Sequence, residues 1–293
     1  MKKILSPLVL LLIGTPAFLL AGFAYPPTLP DAESFTYKKV GGTELNLYAF
    51  KPKGWKASDK RSAVVFFFGG GWKAGSPEQF AEQCKYLAKR GMVAITADYR
   101  VSSRNHTTAL DCVNDARDAV RWTRSHAAEL GIDPNRIAAG GGSAGGHIAA
   151  CLGTIAPDKK EKISSRPDAM FLFNPACVLA PMEGVPPRSP DVQESLRQRL
   201  GVEHAEDLSP AHHVTGNAPP CILFHGKSDT TVPFVTAKVF AQKMKQVGVR
   251  CDLKGFEGEA HGFFNYGRNG NRPFKKSMEQ LNEFLVSLGW IKK

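Results

Sequence analysis

The sequence predicts an α/β domain, a mostly parallel sheet with helices on both faces. Three observations carry this. Short unbroken apolar runs at 63–68, at the segment headed by Arg136-Ile137-Ala138-Ala139, and at Cys221-Ile222-Leu223-Phe224 read as strands buried on both sides. These runs alternate with segments of helical character. Each then breaks into a loop that carries glycine, serine, aspartate or histidine, which is where an open parallel sheet places its chemistry.

In chain order, Lys2-Lys3 precede an apolar stretch that ends in the small residues Gly22 and Ala24. That is the form of a secretory signal peptide over 1–24, with cleavage before Tyr25 favoured over a retained anchor. Residues 25–293 are expected to form a single catalytic domain. Residues 35–39 and 44–50 alternate in the manner of antiparallel edge strands. Residues 78–90 read as a helix ended by Gly91, and 92–97 as a strand. Asp98-Tyr99-Arg100 then reads as a hydrogen-bonded structural corner. A long helix is expected over 111–130, and 163–174 carries the next strand. Residues 177–220 hold Pro181, Pro186, Pro187, Pro190 and Pro210 and a short helix near 192–200, and are predicted to form a small cap that selects substrate. Closing helices are expected at 234–247 and 274–288.

The most informative run is Gly141-Gly142-Ser143-Ala144-Gly145-Gly146. Between a strand and a helix it reads as a nucleophile elbow, with glycines where a Cβ would strike backbone and with Ser143 at a helix N-terminus. Upstream, a strand breaks at Gly69-Gly70-Gly71-Trp72, where successive glycines free N–H groups to converge on an oxyanion. Trp72 is placed at the pocket edge as a substrate-binding candidate. Downstream, Asp229 and His261 each follow a predicted strand. The chain order Ser143, Asp229, His261 suits a nucleophile, an acid and a base, with His261 taking the serine proton and Asp229 orienting it. Glu257 and Glu259 compete only weakly with Asp229, because they lie too near His261 in sequence. His147 reads as a packed polar residue, and His225 as one that bonds backbone near the acid loop.

These motifs, with Val232-Pro233 and His261-Gly262-Phe263, resemble the α/β-hydrolases of the hormone-sensitive-lipase-like esterase group. The chain also looks close to bacterial secreted acetylxylan and feruloyl esterases, and the resemblance spans roughly residues 35–290. The resemblance implies an eight-stranded, mostly parallel twisted sheet with a small cap insertion. It also implies oxyanion donors from the N–H groups of Gly70, Gly71 and Ala144. One departure is Phe68, which stands where the group has histidine before its three glycines.

Composition fits a globular enzyme, with 43% hydrophobic and 22% charged residues. The six cysteines form no CxxC or Cys/His cluster, so no metal is expected, and their pairing is left open by spacing alone. The net charge of +11 becomes +9 over residues 25–293. Its cations are spread out, without the basic, aromatic-interleaved helix expected of a nucleic-acid binder. No membrane partner is expected after signal cleavage.

The leading reading is therefore a secreted or periplasmic serine carboxylesterase that needs no cofactor and cleaves short acyl or feruloyl esters, with plant polysaccharide as the expected partner. The alternatives are a lipase-like esterase of small lipid esters, a serine peptidase of the prolyl-oligopeptidase type, and a catalytically silent binding protein. The peptidase is disfavoured because no propeller precedes residue 35. The intact Ser143, Asp229 and His261 speak against the silent one.

Overall fold

A computed structural model describes residues 25–157 and 160–293. The expected signal peptide, residues 1–24, lies outside the described residues. The chain opens with β1 (Glu33–Val40) and β2 (Thr43–Phe50), followed by β3 (Arg61–Phe67), α1 (Ala81–Lys89) and β4 (Val93–Ala97). The short α2 (Ser102–Asn105) leads into α3 (Ala109–Ser125), β5 (Ile132–Gly142), α4 (Ala144–Thr154) and β6 (Ala169–Phe173). Then come α5 (Pro190–Leu200), β7 (Cys221–Gly226), α6 (Phe234–Gln246), β8 (Cys251–Phe256) and α7 (Arg272–Ser287).

The eight strands form one sheet in the order β1-β2-β4-β3-β5-β6-β7-β8. β2 pairs antiparallel with β1 and β4, and every other pairing is parallel. Alternate residues of β3 show how the two faces are built. Ala63, Val65 and Phe67 join the core packed by α3, α4 and α6. Val64 and Phe66 join the core packed by α1 and α7. Successive side chains of a strand point to opposite faces, so a strand covered on both must be apolar throughout. This is the architecture of the α/β-hydrolase fold.

Element ends differ from the sequence reading in ways that local chemistry explains. The helix expected from residue 78 opens as a single 3₁₀ turn, Pro77–Phe80, where the Ser76 hydroxyl accepts the Glu78 N–H (3.2 Å). α3 begins earlier than expected, with Asp111 Oδ2 taking both the N–H and the hydroxyl of Thr108 (2.9 Å each). It also ends at Ser125, not near 130. Beyond it the chain tightens into turns, with Leu130 N–H on His126 O (2.9 Å) and Trp55 Nε1 on Leu130 O (2.8 Å). That tertiary bond aims the chain at β5 against good helical propensity.

The Asp98-Tyr99-Arg100 corner is a network. Tyr37 Oη donates to Asp98 O (2.7 Å) and Tyr99 Oη to Phe68 O (2.6 Å), while Arg100 pairs with buried Asp115 (2.8 Å). All six cysteines are free thiols, five of them buried.

Candidate active site

Ser143 sits between β5 and α4 with φ 53° and ψ −115°, a strained conformation that an L residue keeps only when its surroundings enforce it. The enforcement comes from close packing of the elbow on β3. A Cβ on Gly145 would lie 1.9 Å from Phe67 O and 2.4 Å from Phe68 O, so only glycine lets α4 start there. Ser143 N–H is anchored on Phe173 O (2.8 Å), which fixes the elbow to β6.

The structure brings the three residues picked from the motifs into one hydrogen-bonded row. His261 Nε2 lies 2.9 Å from Ser143 Oγ, and His261 Nδ1 lies 2.7 Å from Asp229 Oδ2. Asp229 is buried and well supplied with donors. Its Oδ1 accepts the N–H groups of Thr231 (2.9 Å) and Val232 (2.8 Å), and its Oδ2 accepts from Asn174 Nδ2 (3.0 Å). Burial pushes this carboxyl up, but hydrogen bonds from His225, His261 and Val232 outweigh burial and hold it well below the usual carboxylate range. His225 Nε2 is 2.8 Å from Val232 O and 3.4 Å from Asp229 Oδ2, so it braces the acid loop and shares its proton with the carboxylate. Glu257 and Glu259 point elsewhere, to Lys227 and to Asn269.

The glycine loop faces Ser143 from β3. Gly70 (φ 125°), Gly71 (φ 64°) and Trp72 (φ 60°) hold three successive positive φ values, and a Cβ on Gly70 would lie 2.1 Å from Ala74 O. Gly69 N–H is taken by Gln79 Oε1 (2.6 Å), whereas those of Gly70, Gly71 and Ala144 meet no acceptor among the described residues. Phe68, at the position of the departure, is fully buried and stacks on Tyr99 at 4.0 Å. Packing thus organises the loop where a histidine would have used hydrogen bonds.

Behind the loop, Trp72 Nε1 donates to His147 Nδ1 (3.2 Å), and His147 Nε2 lies 2.7 Å from Leu208 O. Burial pushes the His147 imidazole down to about 4, so it is neutral, with its one proton directed at Leu208.

A cavity of about 190 Å³ opens beside Ser143. Gly71, Trp72 and Ala144 line one side, and Val178, Leu179, Arg188, Val192, Leu196 and Arg199 of the 177–220 segment line another. A larger open depression of about 690 Å³ around Tyr37, Arg121 and Trp122 holds none of the row. Among the described residues, no group of three or more His, Cys, Asp or Glu is arranged to hold a metal ion.

Sequence reasoning missed Asn174 and Gln79. Gln79 Nε2 donates to Asn265 Oδ1 (3.0 Å) and Asn265 Nδ2 to Gly262 O (2.9 Å), so one chain of amides joins the glycine loop to the histidine loop. Asn174 follows a strand at the catalytic edge of the sheet, and that position was the only available signal.

The BD-FAE family model matches residues 47–244. The chain belongs to the BD-FAE family. The dienelactone hydrolase family model also matches this BD-FAE protein, over residues 204–288. Among solved structures, butyrate-bound esterase 2 of the planctomycete Thermogutta terrifontis is 52% identical, with a TM-score of 0.86 over 92% of this chain and 99% of that one. The same esterase phosphonylated by sarin superposes with a TM-score of 0.87 at 51% identity over the same shares of the two chains. Esterase LipC of Mycobacterium tuberculosis is 31% identical over 68% of this chain and 52% of its own length. The isoprenylcysteine alpha-carbonyl methylesterase ICME of Arabidopsis thaliana is 29% identical over 89% of this chain and 63% of its own. The chain spans about half the length of the first curated relatives it matches.

Proposed function

We propose that this BD-FAE protein is an exported serine carboxylesterase that removes short acyl groups, acetyl above all, from plant polysaccharide. The observation that carries the ester-hydrolase reading is the row Asp229–His261–Ser143, with a strained serine facing unpartnered N–H groups.

In this reading Ser143 Oγ attacks the ester carbonyl and passes its proton to His261 Nε2. Asp229 holds the imidazole by Nδ1 and balances the positive charge that forms. The negative charge on the former carbonyl oxygen is met by the N–H groups of Gly70, Gly71 and Ala144, each such donor contributing about 3–4 kcal/mol in the transition state. His261 then protonates the departing alcohol, and the same base activates the water that releases the acid from Ser143. Gln79 and Asn265 act as positioning residues, since they join the loop that binds the oxyanion to the loop that carries the base.

The short-acyl reading is supported by cavity size. About 190 Å³ is below the roughly 300–1,000 Å³ typical of drug-sized ligands, and the walls are mostly apolar. A butyrate-bound relative and one phosphonylated by sarin are in keeping with a small acyl site and an activated nucleophile. In this reading residues 177–220 are the cap, since six of their apolar and cationic side chains close one wall. Export is supported by Lys2-Lys3, the apolar stretch and the small residues before Tyr25.

Hydrolysis of 4-nitrophenyl acetate, butyrate and decanoate, acetylated xylan and methyl ferulate tests the acyl and polymer assignments. Acetate and acetylated xylan are expected to be turned over well and decanoate poorly. Decanoate preference would move the enzyme to small lipid esters, and inactivity on both polymer-related substrates would remove the polysaccharide assignment. An N-terminus beginning at Tyr25 in the exported fraction is the expected sign of signal cleavage.

A further inference from the structure

Two arginines line the cavity beside Ser143, and no aspartate or glutamate lines it with them. α5 shows how selective this is. Arg197 is spent on Glu194 in a two-pronged pair (2.9 Å for each bond). Arg199, on the same helix, has no carboxylate partner among the described residues, and only its Nε is engaged, with Ser195 O at 3.3 Å. Its Nη1 lies 3.8 Å from the point that a Cβ on Gly71 would occupy, and its guanidinium is 5.9 Å from the centroid of the Trp72 ring. The free fork of Arg199 is therefore held over the glycine loop.

Arg188 stands on the cap side of the same cavity. Its Nη2 donates to Val178 O (2.6 Å) and its Nη1 to Leu179 O (3.3 Å), and it too has no carboxylate partner among the described residues. Burial without a counter-charge pushes this guanidinium down from its ordinary value. Two uncompensated cations in a small, mostly apolar cleft focus a positive potential on whatever enters it. Guanidinium forks match carboxylates in shape as well as charge.

We propose that the site selects esters carrying a carboxylate close to the scissile bond, with Arg199 as its principal partner and Arg188 as a second counter-charge. This rests on the esterase reading of the same site and narrows its substrate class to acidic esters. The carboxylate can stand on the acyl side, as in a dicarboxylic acid monoester, or on the alcohol side, as in an acylated hydroxy acid or uronic acid.

The test is a pair of selectivity ratios at pH 7, followed by pH-stat in wild type, Arg199→Gln and Arg199→Glu. One ratio compares kcat/KM for monoethyl succinate with ethyl butyrate, and the other compares acetoxyacetate with ethyl acetate. At least one ratio is expected to fall about tenfold in Arg199→Gln, the loss of one charge-assisted bond, and further in Arg199→Glu. The ratio that moves identifies the side on which the carboxylate lies. Ratios that stay constant, or neutral and acidic esters that lose activity equally, would overturn the proposal.

Calorimetric titration of Ser143→Ala with monoethyl succinate, acetoxyacetate and neutral ethyl butyrate reads the anion site without turnover. One of the two carboxylate-bearing esters is expected to bind at least tenfold more tightly than ethyl butyrate, with that preference lost when Arg199→Gln is added. Equal binding of all three overturns the proposal. A wild type that hydrolyses no ester while still preferring monoethyl succinate or acetoxyacetate over ethyl butyrate would instead overturn the esterase reading and leave the anion site standing.

Discussion

Trp72 and His147 are joined by a 3.2 Å hydrogen bond that ties the glycine loop to the helix behind Ser143. The rings also meet edge to face, with centroids 5.0 Å apart. In the proposed reaction the loop donors and the serine converge on the reacting carbonyl, and this contact locks the two to each other through buried side chains. Trp72→Phe keeps an aromatic ring but leaves His147 Nδ1 without its donor. Stability is expected to fall by about 1–3 kcal/mol, the cost of an orphaned buried polar atom, measured by urea denaturation. kcat/KM for 4-nitrophenyl acetate is expected to fall about tenfold in the same variant. Unchanged stability and activity would mean that the loop is fixed without this bond.

Asp229→Asn is expected to lower kcat by about 10⁴-fold with the fold intact, because an amide can present its NH₂ to His261 Nδ1 and favour the wrong tautomer. Circular dichroism and steady-state kinetics on one preparation would separate the two effects. A loss smaller than tenfold would show that Asp229 does little more than pack.

The glycines of the elbow differ in how tightly they are held. Gly145→Ala would drive a methyl group to 1.9 Å from the Phe67 carbonyl, and neither β3 nor α4 can yield without moving the sheet. This variant is expected to lose more than about 4 kcal/mol or to express insolubly. Gly146→Ala meets Gly141 O and Pro175 Cβ at 3.0 Å and is expected to be much milder. Soluble yield and thermal midpoint of the pair are the check, and the reverse order would contradict the packing described.

Two buried titratable groups should give opposing pH slopes to stability. Burial pushes Asp98 up to about 6, so its contribution is full below about pH 4 and is lost as pH rises through 6. Burial pushes His147 down to about 4, so its contribution is full above about pH 6.5 and is lost as pH falls through 4. Asp98→Asn removes the first slope only. The variant is expected to gain on the wild type as pH rises from 4 to 7, by at most about 3 kcal/mol, read from thermal midpoints across that window. A difference independent of pH would mean that Asp98 is ionised throughout.

The parts of the fold visible in the sequence are those fixed by local rules. Residues 63–67 are apolar without alternation because both faces of β3 are covered, and that pattern alone marks a central parallel strand. The elbow was visible because close backbone approach at Gly145 leaves no other residue type. The end of α3 was hidden, since residues 126–130 favour helix and contacts such as that from the distant Trp55 to Leu130 O are not written in the local sequence. The Gln79–Asn265 bond spans 186 positions, and no periodicity encodes a contact of that kind. Arg199 was equally hidden, since an arginine paired with Glu194 and one aimed at the glycine loop stand two residues apart on the same helix.

The measurement that bears most directly on the account is kcat/KM for 4-nitrophenyl acetate in purified residues 25–293 beside Ser143→Ala. The account expects ready hydrolysis by the first and a loss of about 10⁶-fold in the second, down to the background that the oxyanion donors alone sustain. Comparable activity in both proteins, or none in either, would contradict Ser143 as the nucleophile of an ester hydrolase.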